Sequence, residues 1–400
     1  MQRKAAECLL NYQRYHQPHG LTADILFDSR ERRRVEKLEG IGDAATWTGH
    51  YLAALGFRYD ATRSKEVLLE LGKVLDSLEV LTHVSGKAGF LARFAGPADD
   101  AAFEHYYSVY GAGADPARPG LGTWAFRGAG AYSNMVWLSY TSRDVYIAVN
   151  LGLATAWRLV PDGPQRARLK VLVELILDRL ILDGWAITDP EGHESRWRST
   201  PSMAVALLRT GASVNPGRYL KIYQEKARLA LEAPAPTLCG RCDYFPNNLE
   251  FAIHHVLAAL ETEPAWRSNY QEKLRQMWAQ VSDHLNAWFA VLYVSATGDL
   301  ENERAVATLQ GALLDYPSIP RWDRAVDQGR RPGLATVTEE GKTWSRYALP
   351  VRERVPTDFL WQRSPFQLQG GGNGPLEYPG LDFLLAYWAA CAHRLLKPAH

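Results

Sequence analysis

The chain has 400 residues, of which 46% are hydrophobic and 22% are charged, and its formal net charge is +1. This composition excludes a disordered chain, which has too little apolar surface to offset the entropy lost on ordering. The near balance of charge provides no global positive field, so we predict that neither nucleic acid nor an anionic membrane is a partner. The 13 Trp and 19 Tyr residues instead supply many flat amphipathic side chains.

The cysteines predict no disulfide framework, because there are only four in a chain of this length. Cys8 and Cys391 lie in apolar helical settings near opposite ends, where we expect buried thiols. Cys239 and Cys242 form a single CxxC motif, which we interpret as a tight loop with two thiols. The adjacent histidines that follow lack the usual spacing of zinc ligands, and there is no second CxxC, so we predict neither a metal nor a cofactor.

The N-terminus carries basic residues but no apolar run of signal-peptide length. No segment reaches the roughly 18 uninterrupted apolar residues of a membrane-spanning helix. We therefore expect no membrane insertion. The expected location is the cytoplasm or, for a chain whose export leader has been trimmed, the periplasm or the exterior.

Hydrophobic periodicity predicts two kinds of helix. One kind is amphipathic, with apolar residues three and four apart, and covers 64–82, 165–183, 217–231, 266–283 and 300–314. The other kind is apolar or small nearly all round, which indicates burial on all sides, and covers 43–59, 143–159, 201–210, 247–260 and 284–296. Each buried helix precedes an amphipathic one across a short joint, which is typical of an antiparallel helical hairpin.

Five hairpins follow from this alternation, and two helices remain, one over about 5–15 and one over 381–395. If these two pack together, six hairpins close into a ring. We therefore predict an all-α fold, an (α/α)6 toroid of helical hairpins, formed by a single domain over 1–400. Strand signals are few and are confined to 122–127 and 345–355.

The long connections share a position in this pattern. Each of them precedes a buried helix and none lies inside a hairpin; they are 84–141, 184–200, 232–246 and 316–380. In a ring of hairpins, all inner helices then begin on the face that carries these connections. Long connections in compact domains are usually functional, so we predict an active face there, covered by 84–141 and 316–380.

Carboxylates stand at the starts of two of the buried helices. Asp43 begins one helix, and Arg143 and Asp144 begin the next. Either aspartate is also an ordinary helix cap, which contributes about 1 kcal/mol. Because the helix starts converge on one face, we favour a catalytic role, with Arg143 binding a carboxylate or orienting Asp144. A catalytic pair of carboxyl groups should lie roughly 5–10 Å apart.

Aromatic and imidazole side chains follow these carboxylates at helical spacing. Trp47 and His50 share a face with Asp43, and Tyr146 follows Asp144. An aromatic ring one turn from a carboxylate suits a sugar platform beside an acid or a base. Core packing is the alternative role of Trp47.

A third cluster contains Asn247, Asn248 and His254 in the helix over 247–260. An amide that offsets enolate charge, together with a His or Tyr that removes the C5 proton, is what elimination at a uronic acid requires. His254 lies nearly two turns from Asn247, and a buried structural histidine is the alternative.

Two long connections offer further ligand-binding side chains. The segment 356–380 has three successive glycines but no GK[ST] sequence, so we interpret it as a mobile lid offering Trp361, Arg363 and Glu377 rather than as a phosphate loop. The connection 84–141 offers Arg127 among aromatic residues, which are Tyr106, Tyr107, Tyr110, Trp124, Tyr132, Trp137 and Tyr140. Stacking surfaces in a chain of balanced charge favour a neutral or carboxylated glycan over nucleic acid.

This pattern resembles the six-hairpin (α/α)6-toroid carbohydrate-active enzymes, which include glycoside hydrolases and polysaccharide lyases. The segments GDAATWTGHYLAALGFRY, TSRDVYIAVNLGLA and PGLDFLLAYW are similar to those of bacterial toroid proteins. Asn247 and Asn248 resemble the start of the Asn-Asn-His motif of toroid lyases, although Leu249 stands where that motif has His. The resemblance implies an active site on the face where the inner helices begin.

We therefore expect a glycan-active enzyme that cleaves a glycosidic bond of an oligo- or polysaccharide, with Asp43 and Asp144 as the acid and the base or nucleophile. Elimination at a uronic acid, with Asn247 or Asn248 neutralising the carboxylate, is a second possibility. A non-catalytic toroid that binds a glycan or a protein through the same connections is a third.

Overall fold

The computed structural model describes residues 1–106, 125–192, 194–195 and 199–399. Tyr107, Tyr110 and Trp124, which we expected to offer stacking surfaces, lie outside the described residues. The chain divides into two compact units. Unit 1 comprises Met1–His16, Asp24–Arg34 and Pro234–His400, and unit 2 comprises Gln17–Ala23 and Val35–Ala233.

The described chain is predominantly helical. In chain order the helices are α1 (Gln2–Tyr15), α2 (Ala44–Thr62), α3 (Lys65–His83), α4 (Glu104–Tyr106), α5 (Arg143–Leu159), α6 (Pro164–Leu182), α7 (Pro201–Val214), α8 (Pro216–Glu232), α9 (Phe245–Leu260), α10 (Pro264–Val281), α11 (Ala287–Thr297), α12 (Glu303–Leu314) and α13 (Leu381–Ala392). None of them, within the described residues, is long and apolar enough to cross a membrane.

The predicted all-α class and its hairpins are confirmed. In unit 2, α2 packs on α3, α5 on α6 and α7 on α8, while in unit 1 α9 packs on α10 and α11 on α12. The first helix of each pair is the buried one, because it has no polar face to turn to solvent. These inner helices also adjoin one another, α5 touching α2 and α7 in unit 2, and α11 touching α9 and α13 in unit 1.

The expected partnership of the first and last helices is confirmed as well. Helix α1 packs against α13 in unit 1. The buried Cys8 thiol of α1 donates to the carbonyl of Gly380, 3.2 Å away, immediately before α13. Cys391 is also a buried free thiol, as expected.

Glycines allow the backbones of α2 and α5 to touch. A Cβ on Gly49 would lie 2.6 Å from the carbonyl of Ala148, and a Cβ on Gly152 would lie 2.3 Å from the carbonyl of Gly49. Since no real Cβ fits at such distances, only glycine permits this approach. The contact aligns two helices that both begin with the candidate catalytic residues.

The strands are short; the first two lie between α1 and α2, and the others lie in the connections 84–141 and 316–380. They are β1 (Asp24–Phe27), β2 (Val35–Glu39), β3 (Phe94–Pro97), β4 (Ala125–Arg127), β5 (Met135–Leu138), β6 (Arg321–Trp322), β7 (Val326–Asp327), β8 (Thr336–Glu339), β9 (Lys342–Ser345), β10 (Gln369–Gly370) and β11 (Leu376–Tyr378). All pairs within a unit are antiparallel: β5 lies between β3 and β4 in unit 2, and in unit 1 β11 lies between β1 and β6, β8 pairs with β9, and β7 pairs with β10.

The structure contains a strand in each of the two predicted strand segments, but over different shares of their length. Of 122–127, the described part forms β4 and the rest lies outside the described residues. The expectation for 345–355 is wrong beyond Ser345, because the chain turns and forms a single 3-10 turn at Val351–Glu353. Pro350 stands before that turn and has no N–H to donate to a strand neighbour.

Candidate active site at the first turns of two buried helices

Asp43 is the N-cap residue of α2, yet its side chain does not cap the helix. Other helices of the chain are capped by side chains, among them those that follow Thr200, Asn215, Asn286 and Asn302. The Asp43 side chain is 44% exposed, and one carboxylate oxygen lies 3.9 Å from Nη1 of Arg93. Its carboxylate therefore remains at the surface of unit 2, beside a cation and at the positive end of a helix dipole.

Asp144, the second residue of α5, has the opposite environment. The residue is only 8% exposed, and burial raises the pKa of its carboxyl group even though the charges of Arg143 and Arg93 act in the other direction. Its buried Oδ1 accepts a hydrogen bond from no described residue, while Nε of Arg143 lies 3.9 Å away. Burial therefore favours the protonated form of this carboxyl group.

Arg93 connects the two helix starts. Its guanidinium donates to the carbonyls of Tyr140 and Gly42, at 2.9 Å each, and its own carbonyl accepts from the N–H of Ala45 at 2.9 Å. The same side chain interacts electrostatically with Asp43 and Asp144. Arg93 was not among the predicted site residues, because in the sequence it is only a lone basic residue inside the apolar run GFLARFAG.

Two carboxyl groups in contrasting environments, with arginines beside them, form an arrangement suited to acid/base chemistry. Burial favours the protonated form of Asp144, whereas Asp43 is 44% exposed with Arg93 beside it. Two carboxyl groups with unlike surroundings can divide the roles of acid and base. Within unit 2, Arg93 lies beside Asp43 and Arg143 lies beside Asp144. The expected separation of roughly 5–10 Å between the carboxyl groups of Asp43 and Asp144 stays a prediction.

The remaining candidates of unit 2 are mostly buried. Trp47 is 3% exposed and its ring centroid lies 5.3 Å from that of His50. Nδ1 of His50 donates to the Thr46 carbonyl at 2.9 Å, and burial lowers the pKa of its imidazole to about 4. The hydroxyl of Tyr146 accepts from the Leu91 N–H at 3.3 Å. Burial of these three favours core roles, whereas Arg127 is exposed on β4.

Asn247 holds a loop in unit 1. Its Oδ1 accepts from the N–H of Cys239 at 3.0 Å, and its Nδ2 donates to the carbonyl of the same residue at 2.9 Å. Cys239 and Cys242 form a disulfide, so the expectation of two thiols is wrong; their Cα atoms lie 6.0 Å apart, which is within the reach of such a bond. Oδ1 of the neighbouring Asn248 accepts from the indole N–H of Trp288 at 3.0 Å.

His254 is a buried imidazole of α9. Nδ1 donates to the carbonyl of Glu250 at 2.9 Å, and burial lowers the pKa of the ring to about 4. His254 is therefore neutral at physiological pH. Its surroundings favour the structural alternative that the sequence left open.

Two candidates of the segment 356–380 are buried in polar networks. The indole N–H of Trp361 donates to the carbonyl of Asp382 at 2.8 Å, and both carboxylate oxygens of Asp382 contact Nη1 of Arg321, at 2.8 and 2.7 Å. Glu377 is fully buried on β11 and pairs with Nε of Arg32 at 2.8 Å. These bonds fix the segment at both residues, which favours anchoring over a lid function.

Arg363 differs from these two because its side chain is 35% exposed. Its guanidinium donates to Asp243 at 3.3 Å and to the hydroxyl of Thr357 at 3.4 Å. It lines an open cavity of unit 1. The convergence of Asn247 and the other candidates of unit 1 with Asp43 and Asp144 stays a prediction.

Neither a protein-family model nor a curated protein sequence matches the chain. Among solved structures, it is similar to a sugar epimerase from a ruminal bacterium, with 7% identity, 97% of this chain and 98% of that chain covered, and a TM-score of 0.46. It is also similar to a GH9 protein of Bacteroides ovatus, with 11% identity, coverage of 98% and 83%, and a TM-score of 0.47. A third is the GH76A alpha-1,6-mannanase of Salegentibacter sp. HEL1_6, with 12% identity, coverage of 71% and 87%, and a TM-score of 0.29.

Proposed function

We propose that the chain is a glycan-active enzyme that hydrolyses a glycosidic bond, with Asp144 as the general acid and Asp43 as the base or nucleophile. The proposal depends on side chains of unit 2. Its single strongest support is Asp144, a buried carboxyl group with a raised pKa whose Oδ1 accepts no hydrogen bond within the described chain. A buried polar atom in that condition calls for a partner, and a glycosidic oxygen is one.

The division of labour follows from the two environments. Asp144 holds a proton that it donates to the oxygen of the leaving sugar as the bond breaks. Asp43, which lies beside Arg93, either activates a water molecule or attacks the anomeric carbon directly. Arg93 and Arg143 orient the two carboxyl groups and offset the negative charge that Asp144 acquires once its proton has left.

Elimination has less support. An amide that neutralises a substrate carboxylate must be free to turn towards it, but Asn247 is fixed on the backbone of Cys239 through its amide oxygen and one N–H of its amide nitrogen. His254, the candidate base, donates to a backbone carbonyl inside α9. No observation favours a second function over hydrolysis.

Product analysis on a panel of oligo- and polysaccharides tests the proposal. We expect new reducing ends without the ultraviolet absorbance of an unsaturated uronate, and we expect Asp144→Asn to release almost none. Unsaturated products would instead demonstrate elimination. Binding of a glycan by the wild type without any change in it would overturn catalysis and favour a binding protein.

A further inference from the structure

Unit 1 contains an open cavity of about 790 Å³, and none of the residues assigned to catalysis lines it. Four pieces of chain line it: the loop Arg241–Asp243 before α9, Gly329, the β8–β9 hairpin and the segment from Arg363 to Gln369. Its volume falls within the range of about 300–1,000 Å³ that small-molecule sites occupy. The walls are rich in polar and charged side chains rather than apolar ones, which points to a hydrophilic ligand.

Two of the three cations on the walls are already paired with carboxylates. Arg363 donates to Asp243 at 3.3 Å and Arg241 donates to Glu339 at 2.6 Å. Lys342 lines the same cavity and forms no ion pair with any described residue. A ligand carboxylate can therefore pair with Lys342, whereas a dianion such as a phosphate group would meet stronger repulsion from the carboxylates of the walls.

Arg241 is held in place by contacts around its guanidinium. Nη1 donates to Glu339 at 2.6 Å, Nη2 donates to the carbonyl of Arg346 at 3.2 Å, and the group lies 5.2 Å from the ring centroid of Phe366. Its Nε is buried and donates to no described residue. A guanidinium held in this way keeps further N–H groups on Nη1 and Nη2, which suits an oxygen-rich ligand.

Trp344 supplies an aromatic surface beside a cation. It lies on β9 with Nζ of Lys342 at 5.4 Å from the ring centroid. The amide groups of Gln367 and Gln369 line the same cavity. The indole ring can pack on the apolar face of a sugar, the amides can bind its hydroxyl groups, and the cations can pair with a carboxylate. Together these groups point to one class of ligand.

We propose that this cavity binds a carboxylated sugar, with Trp344 packing on the pyranose ring and Arg363 and Lys342 holding the carboxylate. The inference deepens the proposed function by naming the substrate class, and it rests on that function only for the choice of a saccharide. The binding residues are separate from Asp43 and Asp144, so the two proposals are tested by different variants.

Calorimetric titration of the full chain with trigalacturonate and with triglucuronate tests the inference, with the methyl esters of both and inorganic phosphate as comparison ligands. We expect at least one acid to bind at least tenfold more tightly than its ester and more tightly than phosphate, and to bind more weakly as salt is raised. Lys342→Gln, Arg363→Gln and Trp344→Ala should each weaken that binding about tenfold. Arg330→Gln is the matched control, because it removes an 89% exposed arginine of the same segment that pairs with Asp327 outside the cavity.

Any of four results would overturn the inference. They are equal binding of acid and ester, tighter binding of phosphate, normal binding by Lys342→Gln and Trp344→Ala, and no binding of either acid. Asp144→Asn separates it from the proposed function, because that variant should bind the acid as the wild type does. Binding of the acid without cleavage of any glycan would remove only the proposed hydrolysis. Cleavage restricted to neutral glycans and unaffected by Lys342→Gln would remove only the cavity.

Discussion

The surroundings of Asp144 disfavour its ionised form. Its side chain is buried at the first turn of α5, and burial raises the pKa of the carboxyl group. Asp43 occupies the corresponding position at the start of α2 but is 44% exposed beside Arg93. Two aspartates that look equivalent in the sequence are thus different acids in the structure. That contrast, rather than the residue type, supports their separate roles.

The raised pKa predicts how stability depends on pH. The folded chain binds the Asp144 proton more tightly than the unfolded chain does, so the stability this group contributes is present at low pH and is lost as pH rises through its folded pKa. Asp144→Asn cannot ionise and should therefore melt at a higher temperature than the wild type near neutral pH, by an amount that shrinks towards about pH 4. Thermal unfolding at several pH values measures this. A difference in melting temperature that stays constant with pH would show that Asp144 is not a perturbed acid.

The contacts of Asn247 predict that its substitution affects stability, whereas its position in the sequence suggested an effect on catalysis. Asn247→Ala removes both hydrogen bonds to Cys239 and should lower the free energy of unfolding by about 1–3 kcal/mol. Urea unfolding provides the measurement, and Asn373→Ala, at an exposed position of the same unit, is the control. Equal midpoints for the two variants would mean that Asn247 does not hold the loop.

Residue roles were predictable only where position along a helix decides them. The sequence placed Asp43, Arg143 and Asp144 at helix starts correctly. It could not place Arg93, which reaches the site through carbonyls of Gly42 and Tyr140, far from it in the chain. Hydrogen bonds between distant segments leave no periodic pattern, and the same limitation applies to Glu377.

Helices α2 and α5 approach each other more closely than any side chain allows, and this contact aligns their first turns. Gly152→Ala should lower the free energy of unfolding by about 1–3 kcal/mol, because its Cβ would lie 2.3 Å from the Gly49 carbonyl. Gly311→Ala is the matched control: this exposed glycine of α12 has no atom within 4 Å of a Cβ, so alanine should stabilise that helix by about 1 kcal/mol. Chemical denaturation of both variants tests the contact, and a stabilised Gly152→Ala would refute it.

The helices were predictable because an apolar period of three to four residues survives in any tertiary setting. The structure of the long connections was not predictable. Their strands are too short to show a clear alternation of apolar and polar residues, and they pair with distant segments. Within 345–355 the other residues favour a strand, but Pro350 has no N–H to donate to a strand neighbour.

At the scale of the whole molecule, each unit is assembled from separate stretches of the chain. Unit 1 takes residues from both ends and from 24–34, and unit 2 takes 17–23 together with 35–233. We propose that the six predicted hairpins form a single domain over 1–400. Interleaved segments of this kind favour cooperative unfolding, because unfolding of unit 1 would release both ends of 17–23, which belongs to unit 2.

Differential scanning calorimetry tests that proposal. A single domain should unfold in one transition whose van't Hoff and calorimetric enthalpies agree. Two separable transitions, or a van't Hoff enthalpy well below the calorimetric one, would show that the units fold independently.

The proposed chemistry is tested most directly by the kcat of Asp43→Asn and Asp144→Asn on whichever glycan the wild type cleaves. We predict that each substitution lowers kcat by about 100-fold or more while the variant stays folded. Asp162→Asn, which alters a 99% exposed aspartate paired with Arg166, should leave kcat unchanged. Near-normal kcat in both Asp43→Asn and Asp144→Asn would contradict the assignment of these two residues as the catalytic pair.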